Sequence, residues 1–130
     1  MTETIDLCES AKYLRCQLNT LRSYVQRGLI TPVEGAKTGI DEYYSFDQKT
    51  LDSFVAKYAV GPYNGQAILD LDDFRIVFGI DEEVVNDYAE MCDLQPDVRL
   101  PPSPYETGMR YYRTTAEQFV ENFNNLRRSS

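Results

Sequence analysis

The chain carries its pattern twice. Displacing it by 64 residues lays Ile5–Pro32 over Leu69–Pro96 without a gap. Asp6/Asp70, Leu7/Leu71, Tyr24/Tyr88 and Pro32/Pro96 are identical pairs. Apolar residue meets apolar residue at Leu14/Phe78, Cys16/Ile80, Leu21/Val85, Val25/Ala89 and Ile30/Leu94. Four residues then enter the loop, and a displacement of 68 aligns the segment from Tyr43 with that from Tyr111, pairing Leu51/Phe119 and Val55/Phe123. The matches gather at positions that would be buried, as a shared fold requires, because cores demand apolarity and volume more than particular side chains. A 130-residue chain built this way has to form two very small units.

Both copies predict the same order of elements. A first helix is anchored by Leu7, Ala11 and Leu14, or by Leu71, Phe74 and Phe78, at helical spacing. A short turn follows at Arg15-Cys16-Gln17 or Gly79-Ile80-Asp81. The second helix places Leu21, Tyr24 and Val25, or Val85, Tyr88 and Ala89, on its inner side. It stops near Gly28 or near Cys92-Asp93, and Pro32 and Pro96 forbid its continuation. A hairpin comes next, with its tip at Glu34–Gly39 or Pro101–Gly108. The final helix spans about 47–58 or 115–126, with Asp47 and Thr115 as expected N-caps. Glycine and proline cluster at Gly61–Gln66, the linker. Tyr24, Tyr44, Tyr88 and Tyr112 are expected in the cores.

Composition narrows the function. There is no histidine, no CxxC pair among Cys8, Cys16 and Cys92, and no glycine-rich phosphate loop. No carboxylate pair stands in an apolar setting that would separate an acid from a base. The expectation is a protein without catalytic activity, metal or cofactor, its cysteines serving as small core residues. No segment has the length of a membrane span and the N-terminus lacks a signal-peptide pattern, so a cytoplasmic protein without membrane contact is expected, nucleoid-associated if bound to DNA.

Helix, tight turn, helix, hairpin, helix is the winged helix-turn-helix order, and Thr20–Ile30, TLRSYVQRGLI, resembles the recognition helix of the MerR family and of phage excisionases through Thr20, Leu21, Arg22, Tyr24, Arg27, Gly28, Leu29 and Ile30. The resemblance covers about residues 5–58. It implies a mainly α fold with small β-hairpins (α+β), arranged as two tandem winged helix-turn-helix domains over residues 1–60 and 67–126. It also implies double-stranded DNA as a partner. A second helix held by the first enters the major groove with its outward residues at base edges. Gln17, Asn19, Ser23 and Gln26 are candidates for reading those edges. Arg22 is placed for a base or a phosphate, and Arg15, Arg27, Lys12 and Lys37 for phosphates.

The copies depart from that pattern in opposite ways. The first wing reads Gly39-Ile40-Asp41-Glu42-Tyr43, with two carboxylates where the family form carries a base. The second wing reads Gly108-Met109-Arg110-Tyr111-Tyr112-Arg113, close to that form, so Arg110 and Arg113 are candidates for a phosphate or partner contact. Its second helix, Asp81–Asp93, carries no lysine or arginine. Residues 1–60 hold seven basic and eight acidic side chains, while residues 61–130 hold six and thirteen. Of the net charge of −8, −7 therefore falls in the second copy, whose acidic helix would be repelled by phosphates. Glu82, Glu83, Asp87 and Glu90 are candidates for docking a basic protein partner or for self-association. Two functions follow as expectations: a DNA-binding regulator of transcription or accessory factor in recombination or a mobile element, or a protein-only adaptor or inhibitor, in one version a DNA mimic.

Overall fold

The computed structural model describes residues 4–33 and 44–129. The first half runs β1 (Thr4–Asp6), α1 (Leu7–Leu14), α2 (Leu18–Gln26), β2 (Ser45–Asp47) and α3 (Gln48–Tyr58). The second runs β3 (Ile68–Leu69), α4 (Leu71–Phe78), α5 (Glu82–Tyr88), β4 (Val98–Arg99), β5 (Met109–Tyr112) and α6 (Arg113–Ser129). The described residues thus form a mixed α+β fold. Its two small antiparallel sheets are β1-β2 and β3-β5-β4. Ile5 faces Phe46 in the first; Leu69 faces Tyr111 and Val98 faces Arg110 in the second.

Local chemistry explains the boundaries. The Asp6 carboxylate accepts from Glu9 N at 2.7 Å and starts α1. Asp70 and Asp73 satisfy each other's backbone amides, both at 3.0 Å, in a reciprocal cap on α4. Asp47 caps α3 through Thr50 N at 2.7 Å, as expected. The helices α1 and α4 both end in a left-handed residue, Gly79 at φ 70° and, at the equivalent place, Arg15 at φ 56°. Glycine adopts that conformation freely; an arginine there costs on the order of 1 kcal/mol and needs compensation elsewhere.

The helix starts recur at the expected interval through the second helix, but the later register differs from the expected one. The helices α1 and α4 begin 64 residues apart, as do α2 and α5. After that the interval becomes 65: Gly28 and Asp93 are the next left-handed pair, and α3 and α6 start at Gln48 and Arg113. A single residue is added, near the second helix, rather than four in the loop. Phe54 therefore corresponds to Phe119, and Tyr58 to Phe123. The expected alignment was displaced by three residues, close to one helical turn, which keeps the apolar stripe nearly in phase. For the same reason Thr115 is no N-cap; it lies inside α6, which already starts at Arg113.

Two cores result, and they are not divided at the linker. The first gathers Leu7, Leu14, Leu21, Tyr24, Phe46, Leu51 and Val55, and also takes Ile68, Val98 and Leu100 from the second half. The second is built on Phe74, with Tyr111 and Phe119 meeting its ring edge-on at 5.4 and 5.8 Å. The linker is packed as well. Tyr63 stacks on Tyr112, and its hydroxyl lies 2.6 Å from that of Tyr13, which donates to Asp52. Val60 N donates to Asp97 O at 2.8 Å, tying the end of the first half to the second. Among the described residues, no helix is long and apolar enough to cross a membrane.

Candidate nucleic-acid interface

The helix α2 carries no acidic side chain, and its nine residues divide into distinct faces. Thr20, Leu21 and Tyr24 are buried. On the opposite side Asn19 and Gln26 are exposed, and Arg22 and Ser23 are partly so. Their spacing of three and four residues aligns them along one stripe. Arg22 Nη1 donates to Asn19 Oδ1 at 3.1 Å, which holds the two side chains together. Four expected site residues are thus brought onto one face.

The other expected residues have different surroundings. The loop joining β4 to β5, residues 100–108, lies along the side of α2 that carries Gln17, Thr20, Tyr24 and Arg27. Tyr24 Oη donates to Pro101 O at 2.6 Å, and Arg27 Nη1 to Pro102 O at 3.0 Å. The Thr20 and Ser103 hydroxyls are 3.1 Å apart, and Gln17 Nε2 donates to Tyr105 O at 3.3 Å. Gln17 and Arg27 are therefore engaged by the second half as well as standing beside the stripe. Arg15 is engaged more fully: its guanidinium forks onto the Asp73 carboxylate, with Nε at 2.9 Å from Oδ2. Asp73 is 4% exposed, so this fork occupies the cation expected at a phosphate. Lys37 and the first wing, Gly39–Tyr43, lie outside the described residues.

Arg110 corrects the expectation of a surface contact. It is 2% exposed, and its guanidinium donates to Leu14 O at 3.0 Å, to Thr107 O and Met109 O, and to Glu106. An arginine with that many interior acceptors cannot reach a phosphate or a partner. Arg113 is exposed at the start of α6, 3.7 Å from Glu117. The acidic candidates are all at the surface: Glu82, Glu83, Asp87 and Glu90 are exposed on and just after α5.

Sequence reasoning missed Glu106. Its carboxylate accepts from Gln17 N at 2.7 Å and from the Thr20 hydroxyl at 2.8 Å. Gln17 is the N-cap of α2 and makes no side-chain cap bond of its own, so a carboxylate 89 residues away stands at the helix's positive end. No local signal in the sequence announces such a contact. Beside it a cleft of about 510 Å³ opens between the halves, lined by Lys12, Arg15 and Arg110 and by Asp70, Asp72 and Glu82 among others. Both signs of charge line that cleft, so it is no simple phosphate pocket. Burial pushes the Cys16 thiol at its edge up to about 12, which keeps it protonated and unreactive. Cys92 is buried, Cys16 is half-buried against the first core and Cys8 is exposed, so of the three cysteines expected in the core only Cys92 is fully there. Among the described residues no group of histidine, cysteine, aspartate or glutamate is placed to hold a metal ion.

Comparison of the chain with protein-family models, with curated proteins and with solved structures finds no match.

Proposed function

We propose that the chain is a duplex-DNA-binding protein, built as two winged helix-turn-helix units in tandem, in which α2 reads the major groove. Its role would be that of a regulator of transcription or an accessory factor in recombination. The observation that carries this reading is the stripe of Asn19, Arg22, Ser23 and Gln26 on a carboxylate-free helix seated against α1. Amide and hydroxyl groups of that kind pair with base edges, and Arg22 can fork onto a guanine or meet a phosphate. The contact falls on the stripe from Asn19 to Gln26, away from the side of Gln17 and Thr20 where the Glu106 carboxylate stands. The second half, with most of the negative charge, would hold α2 from behind and face a protein partner or a second copy through α5.

The test is binding of fluorescently labelled random duplex over a salt series. Affinity should fall steeply with salt, as counterion release requires. Arg22→Ala should weaken binding about tenfold or more, and Glu83→Ala should leave it unchanged. Undetectable binding at low salt would overturn the reading.

A protein-only adaptor or inhibitor is the second reading. It is favoured by the same Glu106, which fills the end of α2 that a phosphate would approach, and by the exposed acids of α5. Capture of a partner that survives nuclease treatment, with no retention on heparin, would select it.

A further inference from the structure

The last helix is longer than its place in the repeat requires. Its counterpart α3 ends at Tyr58, which corresponds to Phe123, yet α6 runs on from Asn124 to Ser129. Among the described residues, Phe123 is also the last one of α6 that is buried. Beyond it Asn124 is half-buried, and Asn125, Leu126, Arg127 and Arg128 are exposed. Most helical stability comes from packing of one face, and the chain itself packs little against this extension.

The extension completes one wall of a groove. Between α6 and the end of α4 lies a groove of about 360 Å³, lined by Phe78, Glu117, Val120, Glu121, Asn124 and Arg128 among others. The α6 members recur at helical spacing and form one stripe. Phe78 and Val120 are half-buried and supply its apolar surface. Ile76 and Val77, in the same turn of α4 as Phe78, are exposed as well. The charges of the stripe are segregated, with Glu117 and Glu121 in the earlier half of the helix and Arg128 at its end. Such a stripe repels a parallel copy of itself and fits an antiparallel one. In a single antiparallel register Glu117 faces the partner's Arg128, Glu121 faces the partner's Asn124 and Val120 faces the partner's Asn125. A two-fold axis repeats each of these pairs. Glu117 and Arg128 stand about 16 Å apart along the helix axis, so the two ion pairs bracket the groove. We infer that α6 is the contact through which two copies of this chain associate, antiparallel and across the groove of Phe78 and Val120. This does not depend on the reading of α2 as the DNA-binding helix, and it uses residues other than those of α5.

The test is sedimentation velocity of the full chain over a concentration series, beside Glu117→Arg, Arg128→Glu, the double charge swap and Glu83→Arg. All substituted positions are exposed, and thermal melting checks that each variant is folded. One helix and one groove from each copy make a small interface, so the wild-type chain should dimerise with a dissociation constant of about 10–100 µM. Each single swap brings like charges together twice per dimer and should weaken association about tenfold or more. The double swap should restore it to within about threefold, and Glu83→Arg should leave it unchanged. Loss of the Arg113–Glu117 contact is common to Glu117→Arg and the double swap, so it cannot account for the restoration. A chain that stays monomeric up to about 500 µM would overturn the inference. So would a dimer indifferent to both single swaps, or one that the double swap fails to restore. Dissociation by Glu83→Arg alone would place the contact on α5 and overturn it too.

Discussion

Arg110 shows how far a single side chain can be from the role its neighbours suggest. In sequence it sits in a stretch resembling an exposed basic wing; in space it is a hub inside the molecule, joining the β4–β5 loop to the last carbonyl of α1. The planar guanidinium serves four acceptors at once, which an ammonium on a flexible stem cannot. Arg110→Lys should therefore cost about 2–3 kcal/mol of stability, read as a lower urea midpoint with an unchanged slope, because Glu106 and Leu14 O lose part of their pairing in the interior. A neutral result would mean that the hub is dispensable. Arg15 presents the complementary case. Its left-handed backbone is strained for a side chain with a Cβ, and the fork onto Asp73 is the compensation.

At the scale of elements, α4 is the piece whose stability depends most on charge. Its cap is the Asp70–Asp73 pair, and Arg15 reaches across from α1 to the same carboxylate. Burial pushes the Asp73 carboxyl upward, but the Arg15 guanidinium and the Asp70 amide outweigh it and hold the group below the ordinary aspartate range. Asp70, half-buried and beside that charge, is pushed the other way. A depressed carboxyl contributes its full stabilisation above the ordinary aspartate value and loses it as pH falls through the depressed one. Asp73→Asn should thus lower stability by about 2–3 kcal/mol at neutral pH and flatten the acid limb of a stability–pH profile measured by urea denaturation. An acid limb as steep as that of the wild type would show that the pair does not carry it. The raised Asp70 works in the opposite sense in the adjoining window above the ordinary aspartate value, where its penalty is relieved as pH falls, so the loss due to Asp73 sets in only below that value.

For the molecule as a whole, the two halves share more than a linker. Ile68, Val98 and Leu100 belong to the first core, β4 bridges to Ala59, and the Tyr13–Tyr63–Tyr112 group seals the connection. One cooperative unfolding transition is expected for the full chain. A fragment of residues 1–60 should lack a cooperative melt by circular dichroism, since its core would lie open where the second half packs. A fragment melting as sharply as the whole chain would contradict this. Much of the helical order was legible in the sequence: Asp47 announces a helix start, Gly28 a stop, and the spacing of Leu7, Leu14, Leu21 and Tyr24 marks the buried faces, whereas the caps at Asp6 and Asp70 became evident only in the structure. These are short-range effects, determined by residues within a turn of one another. The stripe on α2 was legible for the same reason. The loop along α2, the Glu106 carboxylate at its first turn, the Arg15–Asp73 fork and the burial of Arg110 were decided only by tertiary structure. Each joins groups 58 to 96 residues apart, and nothing in the local pattern of either partner depends on the other.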